Sequence, residues 1–211
     1  VDIASLTIDE FLRRLGSSDP TPGGGALAAL SGAMAAAMLA MTCNLTLGRP
    51  RYADVEPQIR DLLADLSASQ ARLLTLADGD ADAYQGVRDA YALPRGDEAE
   101  RAARADAIES SMHRATEVPV DTLEASRRVL DLALLAARIT NTNILGDVAV
   151  AAHLALAAAR GAADQARLNI ASLHDRDFAT SMQRRLDAAL NGSAALVDDT
   201  LAAIANRTAS G

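Results

Sequence analysis

A chain of 211 residues is long enough to bury a core without disulfides or a structural metal. Its formal net charge is −8, its aromatic content is 2%, and all 20 basic residues are Arg. A phosphate-tracking nucleic-acid binder, which needs net basic surface and stacking aromatics, is therefore excluded, and so is any Schiff base on lysine. An anionic small ligand meets an unfavourable overall field, so it must be held by a local Arg cluster or by helix N-termini.

The hydrophobic half of the composition is Ala, Leu, Val, Ile and Met, which favours helix over strand. The segment Val1 to Asp9 has two acids and no basic run, so it does not read as a signal peptide. Cys43 is the single cysteine; it allows no intrachain disulfide and no CxxC motif, and a cytoplasmic setting is expected.

Pro20, Thr21, Pro22, Gly23, Gly24 and Gly25 lead into Ala26 to Cys43, a stretch without a charge. The glycines either present amide donors at a helix N-terminus, suited to an anion or a polar heterocycle, or simply let two chains pack closely. By length the uncharged stretch could cross a membrane. Its Ala-rich interior supplies little transfer energy, and a buried central helix is expected instead. Polar groups return at Asn44, Thr46, Gly48, Arg49, Arg51 and Tyr52, either as a helix C-terminus stopped by Gly48 or as ligand contacts.

Val55, Ile59, Leu62, Leu63, Leu66, Leu73, Leu74 and Ala77 recur at three and four, one amphipathic helix. Asp78, Asp80 and Asp82 follow. Asp78 and Asp82 read as dipole partners opening a helix, whereas Asp80 shares a face with Tyr84, where a half-buried carboxylate gains proton-transfer capacity near neutral pH. Pro94 to Glu100 is the expected exposed connection. A run with Ile108 and Met112 is expected to stop near Val118 and Pro119, and Val120 to Ile139 forms the next helix.

Asn141, Asn143 and Asp147 fall between two apolar helices; Asp147 either caps the second or stands at a cleft mouth. Val148 to Ala158 and a last pattern from Phe178 to Ile204, with Gly192 as a bend or cap, complete the chain, and the residues from Arg207 onward are expected to fray. His113, His153 and His174 are widely spaced without a Glu-x-x-His motif, so no di-iron site is indicated. The expectation is one all-α domain over 1–211, a multi-helix bundle without internal repeats.

Taken together, Thr21-Pro22-Gly23-Gly24-Gly25, the small-residue helix and Asn44-Leu45-Thr46-Leu47-Gly48 to Tyr52 resemble the cyclodeaminase/cyclohydrolase family. That family includes the C-terminal domain of formiminotransferase-cyclodeaminase and stand-alone methenyltetrahydrofolate cyclohydrolases. The likeness continues through Asp80 to Tyr84, Leu93-Pro94, Arg101, Val118-Pro119, Asn143, Asp147 and Gly161 to Asn169. Three positions depart from the family pattern: Arg95 replaces Lys, Gly146 replaces the Ser before Asp147, and Gln165 replaces Asn.

The resemblance implies an all-helical subunit that forms a homodimer, binds a tetrahydrofolate derivative near the glycine loop and uses no metal or redox cofactor; composition already argues against a nucleic-acid or membrane partner. It implies deaminating cyclisation of 5-formiminotetrahydrofolate, hydrolysis of 5,10-methenyltetrahydrofolate to 10-formyltetrahydrofolate, or both; a non-catalytic folate- or pterin-binding dimer is the alternative. Both reactions pass through a tetrahedral carbon between two nitrogens and move a proton at nitrogen. The expected catalytic pair is Asp80 and Asp147. Gly23, Gly24, Gly25, Asn44 and Asn143 are expected to orient the substrate, and Arg51 to meet its glutamate tail.

Overall fold

The computed structural model describes residues 2–209, and no strand occurs among them. The described helices are α1 (Ile8–Leu15), α2 (Gly24–Asn44), α3 (Glu56–Ala92), α4 (Glu98–Ile139), α5 (Leu145–Ser172), α6 (Arg176–Leu190) and α7 (Ser193–Ala209). Short 3-10 turns at Ile3–Ser5, Pro50–Val55 and Thr142–Ile144 sit in the connections.

Helices α2 to α5 form a ring in which each packs on the next and α5 closes on α2. Their directions follow from cross-helix neighbours. Gly24 lies by Gln165 and Gly161 by Ala28; Gly25 lies by Asp80 and Gly32 by Leu73; Gly79 lies by Val118, and Arg128 pairs with Asp65. In each set one number rises as the other falls, so sequence neighbours are antiparallel and the ring is an up-down-up-down bundle. Helices α6 and α7 lie against α4 and α5.

Small residues on α2 make the ring tight. A Cβ on Gly32 would come within 2.9 Å of Ser126 Oγ and 3.1 Å of Leu73 Cδ1. Ala26, Ala29, Ala33, Ala36 and Leu39 are buried, and the larger volumes come from Leu66 and Leu73 on α3 and Val129 and Leu130 on α4. Both α2 and Thr142–Ser172 are apolar and long enough to cross a membrane, yet 56% of the α2 window is buried inside the bundle. Cys43 is fully buried, and burial pushes its thiol up to about 11, so it packs rather than reacts.

Three sequence expectations need correction. Helix α3 does not end near Ala77 but runs to Ala92, which places Asp78, Asp80 and Asp82 inside a helix rather than at the start of one. Asp78 instead accepts the Ile3 N–H at 2.6 Å, tying the N-terminal turn to α3. Helix α4 passes through Pro119 without stopping. A proline there has no N–H for the Ala115 carbonyl, and Asn169 Nδ2 from α5 donates to that carbonyl at 2.6 Å. Burial of Val118, Pro119 and Val120 holds the continuous helix against its local propensity. Gly192, at φ +71, ends α6 as expected, but Arg207, expected to fray, stays in α7 and donates Nη1 to the Ala137 carbonyl at 2.8 Å.

Of the expected connection Pro94 to Glu100, residues Pro94 to Asp97 are exposed and outside any helix, whereas Glu98 to Glu100 already form the first turn of α4. Asp97 Oδ1 accepts the Glu100 N–H at 2.8 Å, and Glu100 Oε2 accepts the Gly96 N–H at 2.6 Å, a reciprocal cap that starts α4. Because α2 begins opposite Asp80, about three turns of α3 and the facing turns of α4 project beyond it as a two-helix arm. The glycine loop fills the angle between bundle and arm.

Candidate active site

At that angle opens a cleft of about 370 Å³, lined by Pro20, Thr21 and the three glycines, by Asp80, Tyr84 and Val87 of α3, by Met112 and Ala115 of α4, and by Gln165 and Asn169 of α5. Four elements converge because each supplies a small or polar residue at the same level. The Thr21-Pro22 peptide is cis.

The carboxyl of Asp80 is the floor of the cleft. Its Oδ2 accepts the Ala26 N–H at 2.9 Å. Ala26 belongs to the first turn of α2, whose amides have no intrahelical acceptor, so helix and carboxylate satisfy each other. Oδ1 carries no protein hydrogen bond among the described residues. A Cβ on Gly25 would overlap Oδ1, which gives that glycine a steric reason: the carboxyl occupies the side-chain space. Burial raises the Asp80 pKa, and the Ala26 amide only partly offsets it. A carboxyl with a raised pKa, one oxygen anchored and the other unengaged, suits a general acid–base.

Two amides complete the wall. Gln165 Nε2 would lie 3.1 Å from a Cβ on Gly24, so the Gln side chain reaches the loop. Asn169 is turned by its bond to Ala115 O, which uses one N–H of Nδ2 and leaves the other N–H and the Oδ1 acceptor for the cleft.

Of the sequence-predicted site residues, Gly23, Gly24, Gly25 and Asp80 meet here. Asn44, Arg51, Asn143 and Asp147 do not; α2 and α5 run antiparallel, and Asp147 stands about 27 Å along α5 from Gln165. Asp147 is half-buried in the first turn of α5 and caps nothing itself. Asn44, Arg51 and Asn143 are exposed. Polar groups at that end are spent on one another: Thr46 Oγ1 accepts the Asn141 N–H at 2.9 Å, and Tyr52 Oη accepts the Thr142 N–H at 3.0 Å. Burial pushes the Tyr52 phenol up, but the Thr142 donor and the Arg51 and Arg207 charges outweigh it, and the net pKa is lowered. Arg49 Nε donates to the Leu45 carbonyl at 2.7 Å, the ordinary helix-terminus role.

Among the described residues no group of three His, Cys, Asp or Glu is gathered to hold a metal ion. His113 of α4 stacks on Phe178 of α6 with ring centroids 3.9 Å apart, and His174, in the connection between α5 and α6, places Nδ1 3.1 Å from Glu109 Oε2 of α4.

Residues 7–188 match the family model described as formiminotransferase-cyclodeaminase. The chain belongs to this family. It is 40% identical over 190 residues to a methenyltetrahydrofolate cyclohydrolase of Methylorubrum extorquens, covering 90% of this chain and 91% of that protein. It is 30% identical over 180 residues to a formimidoyltransferase-cyclodeaminase of Mus musculus, covering 85% of this chain and 33% of that one. The chain thus spans about a third of the length of that two-function relative. Its fold matches a formiminotetrahydrofolate cyclodeaminase of Thermotoga maritima with a TM-score of 0.86, covering 98% of this chain and 99% of that one at 24% identity.

The cleft's glycines and Asp80 are among the residues the sequence points to; its other walls come from the geometry alone. Asn169, Met112 and Ala115 were not singled out as site residues from sequence, and Gln165 entered only as a departure from the family pattern. A signal was present: Gln165 and Asn169 stand at i and i+4, two amides on one face of an Ala-rich helix. Met112 and Ala115 carried none, because nothing marks an apolar residue as facing a cleft rather than a core.

Proposed function

We propose that the chain is a folate one-carbon enzyme whose chemistry is centred on Asp80, with hydrolysis of 5,10-methenyltetrahydrofolate to 10-formyltetrahydrofolate as its principal reaction. The observation that carries this reading is the anchored, raised-pKa carboxyl at the floor of a glycine-lined cleft. The 40% identity to a cyclohydrolase along nearly its whole length favours hydrolysis.

Asp80 as carboxylate takes a proton from water as the water oxygen attacks the methenyl carbon, giving a neutral tetrahedral adduct. The carboxylic acid then returns that proton to N5 as the C–N5 bond breaks. The hydroxyl proton leaves to solvent, and the carbonyl of the N10-formyl group remains. During attack the carboxylate also stabilises the cationic ring. The first-turn amides of α2 and the Gln165 and Asn169 side chains are placed to hold the polar pteridine edge. No step calls on a metal or redox group, and a cytoplasmic, membrane-free setting is part of this reading.

A second reading, deaminating cyclisation of 5-formiminotetrahydrofolate, is favoured by the likeness to formimidoyltransferase-cyclodeaminases, because the same group acts on the same carbon. Supplying each substrate to the purified chain and following the methenyl absorbance separates the two. Loss of absorbance from the methenyl compound supports hydrolysis; its growth from the formimino compound, with ammonia release, supports cyclisation. Saturable binding with no change in either would sustain the non-catalytic alternative.

The homodimer belongs to the same proposal. On α2, Leu27, Met34 and Met41 are 39%, 48% and 38% exposed at seven-residue intervals, an apolar stripe that none of the described helices covers. A two-fold axis near Met34 sets two α2 helices antiparallel and brings the Asn44 end of one protomer to the cleft of its partner. Asp147 of the partner subunit then reaches the neighbourhood of Asp80, which one protomer alone does not achieve.

A further inference from the structure

Two consecutive glycines open α2, and each yields its side-chain space to a different residue. A Cβ on Gly25 would lie 2.6 Å from Asp80 Cγ, and one on Gly24 would lie 3.1 Å from Gln165 Nε2 and 3.6 Å from its Cδ. Consecutive helical residues are offset by only about 1.5 Å along the axis. Asp80 on α3 and Gln165 on α5 therefore reach the same turn from the two helices that flank α2, and both line the cleft above it. Gln165 differs from the other amide of that wall. Asn169 is fixed on the Ala115 carbonyl at 2.6 Å, whereas Gln165 is exposed and makes no hydrogen bond among the described residues.

A carboxylate and an uncommitted amide at one level suit an attacking water, which has two protons and two lone pairs to place. One lone pair forms the C–O bond as one proton passes to Asp80 Oδ1, so cation, water and carboxylate become a neutral adduct and a carboxylic acid. The second lone pair is then free to accept the Gln165 Nε2–H. An amine nitrogen on the same carbon behaves differently. In the adduct formed during deaminating cyclisation it has a single lone pair, which must take a proton before its C–N bond breaks and ammonia leaves. A donor occupying that lone pair opposes the step. We propose that Gln165 holds the attacking water beside Asp80, and that its N–H favours hydrolysis at the methenyl carbon over loss of ammonia from it. The proposal rests on the folate reading above; it sets Gln165 at the reacting carbon and leaves the pteridine edge to Asn169 and the first-turn amides of α2.

The test is steady-state kinetics of the full chain with each folate supplied in turn. Gln165→Glu keeps the length and shape of the side chain but, as a carboxylate, has no N–H to give; Gln165→Ala removes the side chain altogether. Each should lower kcat for hydrolysis of 5,10-methenyltetrahydrofolate about tenfold, the worth of one hydrogen bond made in the transition state. In Gln165→Ala the KM for that substrate should stay within about twofold of wild type, because the lost contact is to water and not to the folate. Cyclisation of 5-formiminotetrahydrofolate should be no slower in either variant, with circular dichroism unchanged. Wild-type hydrolysis in Gln165→Glu, or an equal fall in both reactions, overturns the water-holding role and leaves Gln165 as a wall of the cleft, with the folate reading intact. Turnover of neither folate by the wild type overturns the enzymatic reading, and the role of Gln165 falls with it.

Discussion

The two ends of the four-helix ring carry similar polar inventories and use them oppositely. At the far end, Thr46, Tyr52, Asn141 and Thr142 saturate one another within a short connection, so the residues there build a terminus. At the near end, Asp80, Gln165 and Asn169 are each held by one bond or contact and present a second polar atom to open space. A polar group buried in a fold is ordinarily satisfied. What separates a site from a helix terminus is therefore whether neighbouring groups at one level keep a function in reserve together, as Asp80, Gln165 and Asn169 do.

The largest expected effect comes from removing that reserve. Asp80→Asn retains an oxygen for the Ala26 amide but cannot take a proton, and kcat should fall by about 10²–10⁴ with helical circular dichroism intact. Its stability should move the other way. The folded-state pKa of Asp80 is raised, so the native state holds this proton more tightly than the unfolded chain; stability is fully present below the unfolded pKa and lost as pH rises through the folded one. Asparagine carries no such penalty. Thermal melts of the variant and the wild type should nearly coincide at acid pH and separate in favour of the variant towards neutrality. A variant that melts lower than wild type at pH 7 and keeps full activity would erase the distinction between the two ends.

A smaller effect asks whether the far end is only structural. If the homodimer joins unlike ends, Asp147→Asn should lose activity by about 10²-fold although Asp147 lies far from Asp80 in its own chain. Mixed with Asp80→Asn and allowed to exchange subunits, it should recover about one quarter of wild-type activity, since half of the dimers then carry one intact site of two. No recovery after verified exchange, with Asp147→Asn as active as wild type, would confine the chemistry to the near end.

How far the sequence discloses this architecture depends on where each signal resides. Helical class and the Ala-rich stretch are readable because periodicity and composition act locally. The ends of helices were misplaced wherever tertiary contact overrides local chemistry: three aspartates resemble a helix start but are carried through by the Leu73–Ala77 face, and Pro119 resembles a stop but lies in a buried stretch. Asp80 stands out in the sequence by its register with Tyr84 and by the family resemblance. The pairing with Asp147 could not be judged from sequence, because the antiparallel course of α2 and α5 decides it and no motif records direction. Arg51 reads in sequence as a cation beside a polar cluster, and only the antiparallel course of the helices shows that this cluster lies at the end of the bundle opposite the cleft.

The subtlest test concerns Pro119, whose place in α4 links the packing of the far wall to the near-end site. Restoring a backbone donor with Pro119→Ala lets the helix bond close on the Ala115 carbonyl, which should stabilise the chain by about 1 kcal/mol, less than the usual penalty for a mid-helix proline because Asn169 already supplies the missing donor. That same closure makes the Asn169 Nδ2 bond redundant and frees the amide to rotate, so its Oδ1 is no longer fixed towards the cleft. A gain in melting temperature accompanied by a fall of up to about tenfold in kcat/KM, an ordinary cost for a loosened positioning group, would show that the proline is kept for what it leaves unbonded. A gain in stability with unchanged kinetics would make the Asn169–Ala115 bond a repair of the helix and nothing more.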